Sequence, residues 1–67
     1  MLGSMCNYSF RFTNKEDAEA FKDYVLEEEL WVGGSSNENE VLVVSIYDST
    51  AEQLYGWINS QNLKLAD

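Results

Sequence analysis

Residues 13–30, TNKEDAEAFKDYVLEEEL, decide how the rest of the chain can be arranged, because they hold seven of its twelve acidic residues on one segment of helical periodicity. On a wheel of about 100° per residue, Ala18, Phe21 and Val25 fall on one side with Tyr24 at its edge. Glu16, Glu19, Asp23 and Glu27 fall on the other. One face can pack and the opposite face is a carboxylate stripe. Thr13-Asn14-Lys15-Glu16 fits a capping box, with Thr13 as the cap. The far end is unfavourable, since Glu27-Glu28-Glu29 sets three negative charges at the negative pole of the helix dipole, at about 0.3–1 kcal/mol each. Local stability does not select those residues.

On either side of this helix the pattern changes period. In residues 7–12, Tyr8, Phe10 and Phe12 alternate with Asn7, Ser9 and Arg11, which predicts a half-buried strand. After the helix, Leu30-Trp31-Val32 is a short apolar run stopped by Gly33-Gly34, and the polar residues 35–39 predict a mobile hairpin loop. Residues 40–47, EVLVVSIY, are rich in β-branched side chains and suit a central strand that is apolar on both faces. Leu42, Val44 and Ile46 are expected on the core face with Phe10 and Phe12, leaving Val41, Val43 and Tyr47 on the other.

A second capping box, Ser49-Thr50-Ala51-Glu52, opens a helix over about residues 50–60 with Ala51, Leu54 and Ile58 as its stripe and Tyr55 and Trp57 flanking it. Gly56 inside it costs about 1 kcal/mol relative to Ala, which a close helix contact or a tolerated defect would explain equally. Leu63-Lys64-Leu65 alternates as a last edge strand. The order strand, helix, strand, strand, helix, strand is the ferredoxin-like βαββαβ pattern, an α+β fold with two helices on one face of a four-stranded antiparallel sheet.

At 67 residues the chain makes one small domain, of a size that is marginal alone. Met1-Leu2-Gly3-Ser4 ahead of Met5 reads as an expression scar, so the domain is expected to span residues 5–67. A hydrophobic share of 45% with 13% aromatics belongs to a folding chain and not to an acidic tail. Single Cys6 forms no internal disulfide, and no secretory or membrane-spanning segment is evident, so the chain reads as cytoplasmic.

The net charge of −8, with only Arg11, Lys15, Lys22 and Lys64 positive, argues against direct binding to nucleic acid or anionic membrane and towards a basic partner. Acidity that merely keeps the protein soluble is the plain alternative. Catalysis is disfavoured, because there is no His, one Cys and no glycine-rich phosphate loop. No cofactor or metal site is expected. The position three residues beyond Cys6, where a metal-transfer domain would place a second cysteine, is Ser9, and Cys6 reads as a small, partly buried residue. The run Glu27-Glu28-Glu29 lacks EF-hand spacing. The strand aromatics read as core, since the basic glycine-containing motif of an RNA-recognition sheet is missing.

The carboxylates Glu16, Glu19, Asp23 and Glu27 span about 16 Å of one helix face. Neighbours lie about 5–6 Å apart, on the scale of successive phosphates along a DNA strand. Such a row can fill a Lys/Arg groove built for nucleic acid. A solvated acidic face is the alternative, and Glu38 and Glu40 could extend either one.

With this length, charge, α/β core and acidic helix, the chain resembles small acidic phage-type inhibitors, the anti-CRISPR and anti-restriction proteins that act as nucleic-acid mimics. The resemblance covers residues 5–67 in that general sense and has no defining motif. It implies a non-enzymatic, protein–protein inhibitor, monomeric or weakly dimeric, whose partner is a basic nucleic-acid-binding complex such as a CRISPR effector. Glu16, Glu19, Asp23, Glu27, Glu28 and Glu29 would dock on the partner's cations, with Tyr24 and Trp31 as apolar anchors. A competing expectation is a regulatory or oligomerisation module resembling the ACT type, pairing through its open sheet face.

Overall fold

A computed structural model describes residues 4–34 and 37–66. Most of the expected expression scar, positions 35 and 36 of the expected hairpin loop, and residue 67 lie outside the described residues. The elements run β1 (Cys6–Arg11), α1 (Lys15–Glu27), β2 (Trp31–Gly33), β3 (Glu40–Ile46) and α2 (Asp48–Ser60). The three strands form an antiparallel sheet in the order β1-β3-β2, so the apolar β3 is central, as its two-sided pattern requires. In place of a fourth strand, Leu65 makes a single antiparallel bridge to Phe12. Thr13 N–H donates to Lys64 O at 3.0 Å and Ala66 N–H to Arg11 O at 2.8 Å, which seats this segment at the end of β1. No helix among the described residues is long and apolar enough to cross a membrane.

One core holds both helices on one face of the sheet. Ala18, Phe21 and Val25 of α1 and Ala51, Leu54 and Ile58 of α2 join Phe10, Phe12, Val41, Val43 and Ile46 in a single buried cluster. Phe21 is its hub, with ring centroids 4.8 Å from Phe10, 5.3 Å from Phe12 and 6.1 Å from Trp57. The helix stripes follow the expected periodicity residue for residue.

The faces of β3 do not. Val41 and Val43 are buried, and Leu42 and Val44 lie on the open face, the reverse of the expected assignment. Tyr47 leaves the strand and becomes the N-cap residue of α2. A strand apolar on both sides carries no polarity signal to choose its inner face; the pairings Phe10 with Val41 and Tyr8 with Val43 make the choice. Ile46 nevertheless reaches the core. Between the pairs Tyr8–Val43 and Cys6–Ile46, Val44 and Ser45 stand opposite the single residue Asn7, a β-bulge that inverts the alternation. Ser45 takes φ 57° there, and its N–H donates to Asn7 Oδ1 at 3.0 Å.

The caps also differ from expectation. Asn14 caps α1 in place of Thr13, accepting from Asp17 N–H at 2.8 Å. The Thr13 backbone is engaged with Lys64, so the next residue takes the cap. Asp17 Oδ2 accepts from Lys64 N–H at 3.0 Å, tying the start of α1 to the C-terminal segment. The box at residues 49–52 is not used, because α2 begins earlier, with no side-chain bond at its cap. Instead Asp48 in its first turn accepts a hydrogen bond from the Tyr8 hydroxyl. That bond pushes the Tyr8 phenol up from 10.0 to about 12, since ionising it would set a phenolate against a carboxylate.

Two measurements follow from this architecture. A Cβ added at Gly56 meets nothing within 4 Å, so the close helix contact is absent. Gly56→Ala should raise stability by about 0.5–1 kcal/mol in thermal or urea denaturation, by restricting the unfolded chain and improving helix propensity. The Tyr8 bond contributes stability that is fully present below pH 10 and is lost as pH rises through about 12, the raised native value. Ultraviolet titration of tyrosinate should show one late-ionising tyrosine that Asp48→Asn returns towards the ordinary range.

Candidate partner-binding surface

The carboxylates of α1 divide into one that holds the fold and six that face solvent. Asp17 is half-buried and accepts from the Asn14 side chain at 3.4 Å as well as from Lys64 N–H. Glu16, Glu19, Asp23, Glu27, Glu28 and Glu29 are all exposed. Two reasons act: once Ala18, Phe21 and Val25 are driven into the core, Glu16, Glu19, Asp23 and Glu27 lie about half a turn away and point outward, whereas Glu28 and Glu29 are exposed because the helix ends at them.

The C-terminal end of this row has a special backbone. Glu28 caps α1, Glu29 N–H donates to Leu26 O at 3.0 Å, and Leu30 N–H donates to Val25 O at 3.1 Å. These are the paired bonds of a Schellman ending, with Leu30 packed against the core beyond it. Glu29 occupies the left-handed position at φ 62°, where glycine is the usual residue. Helix α2 ends the same way, with Leu63 N–H bonded to Ile58 O at 3.1 Å, and there the left-handed position holds Asn62, a residue that tolerates it. Glu29 thus carries a conformational penalty and an electrostatic one together. The last turn of α1 has no basic residue to offset it.

The row is bounded on one flank. Lys15 Nζ lies 3.8 Å from Glu19 and 4.0 Å from Glu38, at a groove of about 350 Å³ between α1 and the β2–β3 edge that Lys22 and Val32 also line. Glu38 therefore stands beside the acidic helix. Glu40 lines the same groove and also pairs with Arg11 at 3.6 Å.

The two expected aromatic anchors part company. The Tyr24 ring stacks on Trp57 at 4.2 Å and 8°, and one of its faces is spent inside the molecule. Trp31 is 76% exposed on the edge strand, two residues beyond Glu29. Its cross-strand partner is Val44, and Gly33 beside it pairs with Leu42, so the exposed indole borders an apolar strip. Sequence reasoning missed Leu42 and Val44 as surface residues because it inverted β3. It also passed over Leu26, which is 50% exposed. The wheel held that signal, since Leu26 falls well off the packed stripe.

Cys6, the first residue of β1, is exposed and not partly buried as expected. Among the described residues, no three His, Cys, Asp or Glu side chains come together in a way that could hold a metal ion. Set against protein families, curated proteins and solved structures, the chain matches none.

Replacing Glu29 by Gly should stabilise the free protein by about 1 kcal/mol, read as a higher denaturation midpoint, because the left-handed position and the helix dipole both favour the change.

Proposed function

We propose that this protein is a non-enzymatic acidic binding protein that inhibits a nucleic-acid-binding complex by presenting α1 in place of a phosphate backbone. The observation that carries the reading is the exposed row from Glu16 to Glu29, which persists through a helix ending where the dipole and the backbone at Glu29 both oppose a glutamate. Residues that lower local stability and face only solvent have their use outside the molecule. The partner is a basic protein surface of the kind that cradles nucleic acid, as in the CRISPR effectors that anti-CRISPR proteins block.

Mechanistically, the row supplies carboxylates about 5–6 Å apart on a rigid rod. Lys and Arg side chains of the partner exchange solvent for these groups, and nucleic acid is excluded by occupancy and by like charge. The helix packs through Phe21 and Val25, so the spacing is held before the partner arrives and little ordering is left to do on binding. The ferredoxin-like βαββαβ order belongs to the same proposal, with residues 63–65 in the place of the fourth strand. The Phe12–Leu65 bridge beside β1 supports it.

The test compares the native protein with a variant carrying Glu19→Lys, Asp23→Lys and Glu27→Lys, each shown by circular dichroism to be folded. The native bait should retain a basic nucleic-acid-binding complex, release it to added DNA, and bind it at least about tenfold more tightly than the variant does, with an affinity that falls steeply as salt rises. Equal retention by both baits would show the stripe to be a solvated face.

A further inference from the structure

We propose that the open face of the sheet, centred on Trp31, Leu42 and Val44, is a self-association surface that pairs two copies of this chain face to face. The inference does not depend on the acidic-face reading and concerns the opposite side of the molecule.

The face is apolar and shaped. Trp31 is 76% exposed beside its cross-strand partner Val44. A Cβ at Gly33 would lie 2.9 Å from Leu42 Cδ2 and 3.1 Å from Val44 Cγ1, so the glycine lets both side chains lie down across the edge strand. The result is a low strip beside a standing indole, onto which a second indole can pack.

Charge selects a second copy as the occupant. A two-fold interface meets its own surface, so it tolerates no uncompensated charge. In a chain of net charge −8, the charged residues of the strands on this face, among the described residues, are Arg11 and Glu40, which pair at 3.6 Å, with the Ser9 hydroxyl donating to the same Glu40 oxygen at 3.1 Å. The α1 carboxylates lie beyond the helix layer. With stacked sheets about 10 Å apart, the two acidic helices of a pair point away from each other, separated by well over the Debye length of about 8 Å at physiological salt. A basic partner finds its complement on α1; this neutral face complements itself.

Area sets the strength. A standard interface takes about 800 Å² from each partner, and the whole molecule exposes 4653 Å² with extents of 37 × 25 × 24 Å. An interface of that size would take most of one face, with the two indoles at the apolar strip as its anchors.

The experiment is sedimentation equilibrium of the full chain from about 1 µM to about 1 mM, for the native protein, Trp31→Glu, Leu42→Gln and the α1 variant Glu19→Lys/Asp23→Lys/Glu27→Lys, all first shown to be folded. The native protein and the α1 variant should form dimers that added salt leaves intact or strengthens. Trp31→Glu and Leu42→Gln should each weaken dimerisation by about tenfold or more. A native protein monomeric throughout overturns the proposal. So does dimerisation unchanged in both sheet-face variants, or growth past the dimer, which would indicate open-ended pairing of strand edges. Loss of dimerisation in the α1 variant alone would move self-association to the acidic face and overturn this assignment as well.

Discussion

The packing of Phe21 against Phe10 and Phe12 is the contact on which the rest of the molecule depends. All three rings are buried, and each removes enough apolar surface to contribute about 1.5–3 kcal/mol. In a domain this small, that is a large share of what opposes chain entropy. Phe21 also meets Trp57, so the same ring holds α1, β1 and α2 together. Fixing Phe21 fixes the rotation of α1 about its axis, and that rotation turns Glu16, Glu19, Asp23 and Glu27 outward.

Local devices then anchor the ends of the elements to that core. Both helices close with a Schellman ending that delivers a leucine, Leu30 or Leu63, back to the apolar cluster. Asn14, Asp17 and Lys64 join the start of α1 to the last residues described, and Tyr8 with Asp48 joins β1 to the start of α2. These hydrogen bonds lie at the periphery. They set direction where the small core cannot.

The outcome is a molecule with two unlike surfaces. Folding both helices onto one sheet face sends the acidic stripe outward on the helix side and leaves the other side of the sheet uncovered. The first surface is a row of carboxylates. The second is apolar around Trp31, Leu42 and Val44. The contrast comes from layer geometry, because a two-layer α/β domain has one buried interface and must expose both of its outer sides.

The sequence by itself determined the stripe Ala18, Phe21 and Val25, the alternation of β1, the centrality of β3 and the exposure of Glu16, Glu19, Asp23 and Glu27, because each follows from a period of 3.6 or 2 that a chain carries locally. The tertiary structure alone decided the rest. Which face of β3 turns inward depends on pairing with β1 across some thirty residues, and a bulge at Ser45 changes the parity partway along. The caps moved for the same kind of reason, since Lys64 engages Thr13 and leaves Asn14 to cap α1. Tyr24 was spent on Trp57, a neighbour that no local pattern could supply, while Trp31 stayed exposed because the edge strand had nothing to cover it. Periodicity is written in neighbouring residues; register and partnership are settled only when distant segments meet.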